Sequence, residues 1–469
     1  MKNFFKLNEK NTTVRTEIIA GLTTFMAMAY ILFVNPGMFS DLGVVSYGAI
    51  YVSTAISAIV GTVLIGLLAN LPLAQAPGMG LNAFFVYTVC FGLGFSYANA
   101  LLFVLFDGLL FVVLTVTGLR KLIFDAIPRT VKAAIPAGIG MFIAFIGLQD
   151  AGIVVADSST GVTLASFNLL GAATWADVMP MLVTIITLIA IAIMIKRKVR
   201  GAMLWAIIGG AALYYLLGLT VPEFYTSFSL GNMNPLEAFK DFGSMSFLKV
   251  FTDGFDFSAY LETHSVSTLI ITFATTTLAF CMVDMFDTMG TLFGACKTGN
   301  MLEKDENGEE TIVPNMNRSM LADAIATVTG AICGTSTVTT FVESSAGVGA
   351  GGRTGLSSMV TAAMFVIAMF LSPIASLVPA CAYSAALIYV GILMIVCVKD
   401  LKWDKPSVAL PSFMTIVMMP FTYNISYGIA FGLITRLVIM IFDKEDRKTI
   451  KVSTVVITLL FAAMFFLTH

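Results

Sequence analysis

Glu343 is the only charged residue between Ala324 and Gly352. A carboxylate at the centre of an apolar segment costs roughly 2.5–3.5 kcal/mol on insertion scales, so it is rarely accidental. Its flanks, Thr339-Thr340-Phe341-Val342-Glu343-Ser344-Ser345-Ala346-Gly347-Val348-Gly349, are too short and too rich in Gly and Ser for an ordinary spanning helix. A second acidic pair, Asp284 and Asp287, follows the uncharged run Ser265–Val283. Three residues apart on one helical run, these two acids share a face, and Thr288-Met289-Gly290-Thr291 continues it with small polar groups. Proximity to Lys297 explains one acid as merely hydrated at an interface, but not both. Carboxylates in apolar sequence beside broken helix point to a transport site.

Backbone breaks of the same kind open the third apolar segment at Gln75-Ala76-Pro77-Gly78-Met79-Gly80-Leu81-Asn82. Pro and paired Gly release backbone from helix and allow close approach. At membrane depth such backbone is tolerated only where it is buried or lines a cavity. Extended segments there offer N–H and C=O groups to a planar polar ligand, and the half-helices that follow add positive dipole. Asn82 reads equally well as a helix–helix hydrogen bond. Thr23, Thr24 and Asn35 in the first span suit cavity lining, and Asp323 is expected to face the cytoplasmic side or a polar partner in the ninth. The only histidines, His264 and His469, are not central, so proton coupling falls to Asp284, Asp287 and Glu343. Gly290–Thr298 does not fit the phosphate-loop spacing, which excludes a nucleotide-driven pump, and no G-x-G-D supports an aspartyl protease.

These residues need a membrane scaffold. Hydrophobic residues make up 58% of the chain, charged ones 12%, and mean hydropathy is +0.92. A soluble or disordered protein is excluded, and a net charge of -2 gives no reason to invoke nucleic acid. Cys90, Cys281, Cys296, Cys333, Cys381 and Cys397 lack metal-type spacing and read as buried thiols; no metal or cofactor is expected. Met1–Thr16 suits an interfacial cytoplasmic segment, and Ile18–Ser40 is too long for a signal sequence.

Hydropathy gives spans near 17–39, 46–71, 77–95, 98–119, 129–149, 177–196 and 201–219, then 264–295, 317–335, 341–352, 355–378, 382–398, 408–424 and 425–442. Val452–Thr468 reads as either a further span or an interfacial helix. With the N-terminus inside, basic residues fall on the cytoplasmic side: Arg120-Lys121 with Arg129 and Lys132, Lys196-Arg197-Lys198, Lys297 and Lys304, Lys399 to Lys405, and Lys444 to Lys448. Gly61 precedes Gly78 and Gly80 by the spacings that separate Gly330 from Gly347 and Gly349. Ala137-Gly138-Ile139-Gly140 leading to Asp150 also resembles Tyr389-Val390-Gly391-Ile392 leading to Asp400. Seven spans per copy is odd, so the copies are inverted, which places a site at the midplane between broken helices.

The motifs Gln75–Phe85, Asp284-Met285-Phe286-Asp287-Thr288-Met289-Gly290-Thr291, Thr340–Gly347 and Arg15–Ile31 closely resemble the adenine/guanine/hypoxanthine permeases. That group is the purine branch of the nucleobase–cation symporter (nucleobase–ascorbate transporter) families. The resemblance implies an all-α polytopic protein of the uracil-permease-like fold, with about fourteen transmembrane segments in two inverted seven-span repeats and short strands in spans 3 and 10. It further implies a core domain (residues 1–127 and 263–379) and a gate domain (128–262 and 380–469) that forms the homodimer contact. Asn82, Asp287 and Glu343 match the family's binding positions; Gly78, Gly80, Ser344, Gly347 and Thr24 are expected to complete the site. The implied activity is proton symport of a purine nucleobase across the cell membrane, not catalysis. The chemistry agrees, since a purine presents N–H donors that carboxylates accept. Alternatives are xanthine, uracil or an anion on the same fold, a membrane-embedded enzyme, or a channel.

Overall fold

The computed structural model describes residues 3–118, 127–171, 173–222, 224, 234–304, 310–443 and 446–467. Arg120, Lys121, Lys444 and His469 lie outside the described residues. Span 1 has two helical pieces, Val14–Met28 and Ile31–Ser40. Span 2 is Tyr47–Leu68, and span 3 is a strand, Gln75–Pro77, then a helix, Met79–Ala83, that widens into a π-helix over Phe84–Gly92. Spans 4 to 7 are Tyr97–Thr117, Arg129–Asp150, Trp175–Lys196 and Ala202–Gly218. Span 8 is the long helix Val266–Thr298, and span 9 is Met316–Cys333. Span 10 repeats the broken plan, strand Val338–Thr340 and helix Ser344–Gly349. Spans 11 to 14 are Gly355–Met369, Ala380–Ile395, Pro406–Phe421 and Ile425–Phe442. Eight helical segments among the described residues are long and apolar enough to cross a membrane, and five shorter apolar helices join them.

Local chemistry sets the ends of these helices. Ser46 accepts from the Ala49 N–H at the start of span 2, and Ser96 with Asn99 forms a reciprocal capping box at the start of span 4. Gly118, at φ 74°, closes span 4 in the left-handed conformation that a Cβ disfavours. A longer-range cap joins the two halves of the chain. Glu17, fully buried in span 1, accepts from the backbone N–H groups of Arg353 (2.9 Å), Thr354 (3.3 Å) and Ser357 (3.2 Å) at the start of span 11. The donors and the helix dipole offset the cost of burying that charge.

The repeat appears as reciprocal packing. Span 2 packs on span 11 as span 9 packs on span 4, and span 1 packs on span 11 as span 8 does on span 4. Span 5 packs on span 12 at the centre of the other group, with spans 13 and 14 beside it and spans 6 and 7 against span 12. Gly140 and Gly391 meet there: a Cβ on Gly140 would lie 2.9 Å from the Gly391 carbonyl oxygen, and one on Gly391 would lie 2.4 Å from that of Gly140. The other glycine correspondence is corrected in part. Gly61 and Gly330 each make room for the strand of their own half, Gly61 against Gln75 and Gly330 against Ser336 and Val338. Gly78, however, precedes its short helix while Gly347 lies inside its own, so those two are not equivalent. Val452–Leu467 is helical and packs on spans 8 and 14, with the Phe465 ring against Tyr427 and Phe431.

The span 5–12 seam yields a direct test. Gly391→Val drives a side chain into the backbone of span 5 and should lower the unfolding temperature of the detergent-solubilised protein by several degrees. Gly209→Val, where an added Cβ meets nothing within 4 Å, should shift it far less.

Candidate functional site

The two broken spans meet strand to strand. Gln75 pairs with Thr340, Ala76 with Thr339 and Pro77 with Val338, antiparallel, and all six residues are buried. The ladder extends at both ends through Gly78 N–H to the Thr337 carbonyl (2.9 Å) and Phe341 N–H to that of Ala74 (3.0 Å). Side chains complete the remaining bonds. The Thr62 hydroxyl donates to the Gln75 carbonyl at 3.1 Å and accepts its N–H at 3.0 Å, Thr327 donates to the Val338 carbonyl at 3.1 Å, and Ser344 accepts the Ala74 N–H at 3.0 Å. Much of the polar backbone of this buried break is thereby paired within the protein.

One acid fastens this crossing to the helices behind it. Asp323 is fully buried in span 9, and its Oδ1 accepts from Gln75 Nε2 (2.9 Å), Thr288 Oγ1 (2.8 Å) and Thr340 Oγ1 (3.3 Å). Spans 3, 8, 9 and 10 thus share one carboxylate oxygen. The expected polar partner exists, but its place is the centre of the molecule rather than a cytoplasmic edge. Asp284 faces the same region: Thr327 donates to its Oδ2 at 3.4 Å, and its Oδ1 is buried without a hydrogen bond. Asp107 of span 4 is equally buried and accepts from Thr337 at 3.0 Å. Its position just past the uncharged stretch 42–106 was the available signal, and composition alone did not raise it.

In front of the strands lies a cavity of about 480 Å³. Gly78, Met79, Gly80 and Leu81 form one wall, Thr339 to Glu343 another, and Asp287, Gly290 and Thr291 of span 8 a third. Pro136 and Ile139 of span 5 with Val390, Leu393 and Met394 of span 12 close the opposite side, and Lys399 stands at the rim. Asp287 accepts from Thr339 Oγ1 at 3.2 Å, and Glu343 accepts from Tyr30 Oη at 2.6 Å. Two wall hydroxyls, those of Tyr30 and Thr339, therefore spend their protons on carboxylates, so toward the cavity these groups accept. Donors come from the first turn of the span-3 helix, whose opening N–H groups have no partner within the helix and whose Gly78 cap supplies no side-chain bond.

The structure thus brings Gly78, Gly80, Asp287 and Glu343 to one cavity. Asn82, Ser344, Gly347, Thr24 and Asp284 are adjacent to it but not on its wall. Asn82 donates to the Pro77 carbonyl at 3.3 Å and accepts from the Ser336 hydroxyl. Gly347 lies so close to span 1 that an added Cβ would stand 2.0 Å from Thr24 Oγ1. Tyr30, between the two halves of span 1, is a wall residue that the sequence reading passed over. Away from the cavity, Tyr87 donates to Asp41 at 2.7 Å and Thr88 donates to the Tyr423 carbonyl at 2.5 Å, joining span 3 to the end of span 13. Burial holds the Asp41 carboxyl above the usual carboxylate range, partly offset by the Tyr87 bond.

The Permease family matches residues 15–431. The chain belongs to this family. Guanine/hypoxanthine permease PbuG of Bacillus subtilis is 38% identical over 442 residues, which cover 92% of each chain. Adenine permease AdeQ of Escherichia coli is 34% identical over 465 residues, covering 98% of this permease and 95% of the relative. Among solved structures, the transmembrane domain of a cyanobacterial bicarbonate transporter, BicA, aligns with a TM-score of 0.57 at 15% identity over 90% of this chain and 95% of that one. The last likeness shows the fold alone, a mostly helical transmembrane scaffold.

Removing the Asp323 carboxylate should loosen the strand crossing. Asp323→Ala leaves Gln75 Nε2, Thr288 and Thr340 without that acceptor, and hydrogen bonds to a charged group contribute about 1.5–3 kcal/mol. The expected outcome is a clear fall in thermal stability in detergent, with Asp323→Asn, which keeps one acceptor oxygen, falling between the wild type and Asp323→Ala.

Proposed function

We propose that this permease is a secondary active transporter that imports purine nucleobases, guanine and hypoxanthine or adenine, with a proton. The observation that carries this reading is the pair Asp287 and Glu343, which face one cavity beside a turn of unpartnered backbone N–H groups. Each acid keeps one oxygen, Asp287 Oδ1 and Glu343 Oε2, that accepts from no other described residue, the Glu343 carboxylate being met besides Tyr30 only by its own backbone N–H. A purine is planar, has N–H donors on separate edges for those oxygens, and carries ring nitrogens or a carbonyl to accept from backbone. The relatives named as guanine/hypoxanthine and adenine permeases, similar over nearly the whole chain, support the same substrate class.

In this reading, spans 1–4 and 8–11 are a core that holds the base and spans 5–7 and 12–14 a gate. The core slides past the gate as an elevator, and the gate forms the homodimer contact. The basic loops put the N-terminus in the cytoplasm. Carboxylates that form no ion pair among the described residues serve as proton carriers, because protonation removes the charge that resists movement through a low-dielectric path.

Proteoliposome uptake tests the proposal. Truncating one partner of a buried charged contact costs about 2–5 kcal/mol. Asp287→Asn and Glu343→Gln should each abolish or severely weaken uptake of labelled base while leaving the protein folded, and wild-type affinity in either variant removes that residue from the site. Accumulation should collapse with an uncoupler and persist without sodium; sodium-dependent accumulation unaffected by the uncoupler overturns proton coupling and leaves purine binding standing.

A further inference from the structure

Tyr30 is absent from the set of residues that the sequence marked for binding, yet it is the partner of one of the two key acids. It sits where span 1 changes from one helical piece to the next, after Met28 and before Ile31, with its ring 1% exposed and its hydroxyl at the cavity wall. That hydroxyl donates to Glu343 Oε1 at 2.6 Å, the short distance of a charge-assisted bond. Among the described residues no other side chain holds the Glu343 carboxylate. Glu343 itself stands at the N-cap of a six-residue helix, and its own backbone N–H is the only other group that reaches the carboxylate.

We infer that Tyr30 is a positioning and specificity-determining residue: it clamps one oxygen of Glu343 and so fixes where the other meets the base. This rests on the reading of the cavity as a purine site. Two consequences follow from the geometry. With Oε1 held, Glu343 turns a single oriented acceptor, Oε2, to the ligand, so it favours one N–H in one direction over the paired donors that a free carboxylate accepts bidentately. With its proton spent on Glu343, Tyr30 meets the ligand only as an acceptor, so it favours an N–H or amino group at that edge over a carbonyl. Asp287 is held in the same way by Thr339, which leaves the site two single acceptors at fixed places. Guanine, hypoxanthine and adenine place their donors on different edges, and the clamp therefore bears on which of them binds best.

The test is binding of guanine, hypoxanthine and adenine to the purified protein for wild type, Tyr30→Phe, Glu343→Gln and the double variant, with thermal stability measured in parallel. Tyr30→Phe should weaken the preferred base roughly ten-fold and change the ratio of affinities among the three bases. In the Glu343→Gln background, the same change should add less than two-fold, because the clamp has lost its charged object. Equal losses in both backgrounds, or an unchanged ratio among the bases, would overturn the inference. If Tyr30→Phe is not recovered folded, Tyr30→His, which keeps a donor, is compared with Tyr30→Leu: affinity kept by His alone supports the clamp, and equal loss contradicts it. Wild-type protein that binds none of the three bases defeats the purine reading and the clamp together. Wild-type protein that binds them while Tyr30→Phe binds equally well defeats the clamp alone.

Discussion

Backbone that leaves the helix inside a membrane must still satisfy every N–H and C=O, since lipid supplies no partner. In this protein that requirement is met by pairing two breaks with each other. Gln75–Pro77 and Val338–Thr340 come from opposite halves of the chain, and neither could stay extended alone. Pro77 has no N–H to donate, and it sits where the ladder passes to Gly78. Bringing these strands together fixes spans 3 and 10 end to end, and the helices that follow them begin at the same cavity. The site exists because the breaks must pair.

Electrostatics then divides the buried acids by what they touch. Asp323 accepts three hydrogen bonds on one oxygen and acts as a structural knot. Glu17 is consumed by the N-terminus of span 11. Asp287 and Glu343 each have one side-chain donor, a hydroxyl, and both acids line the cavity. A carboxylate that is held yet incompletely satisfied is poised to gain from a ligand donor, because the alternative is a partly desolvated charge. Stability and binding therefore use the same residue type, separated by whether the acid lies on the cavity wall.

The spans were legible because long apolar runs and basic connections carry strong signals, and Glu343 and Asp287 were legible because charge is rare in such sequence. For Asp323 the sequence left a cytoplasmic edge and a polar partner both open, since Arg318, Asn317 and Asn315 precede it, and the fold supplies the partners. Tyr30 could not be found from the sequence: a tyrosine in an apolar helix is ordinary, and only the fold brings it to Glu343. Asn82, Ser344, Thr24 and Gly347 lie on the expected elements, but which side of a short helix faces the cavity depends on how the strands cross. Gly140 and Gly391 show the converse. Their match in sequence became a reciprocal contact because span 5 and span 12 are images of each other.

The central claim is that the base binds at the strand crossing, between the two half-satisfied acids. A structure of the protein determined with saturating hypoxanthine tests it most directly. The account predicts density for a planar ring bounded by Gly78 to Gly80, Asp287 and Glu343, with ring N–H groups within hydrogen-bond distance of both carboxylates. Density instead in the neighbouring cavity beside Arg129 and Lys132, with the space between Asp287 and Glu343 empty, would contradict it.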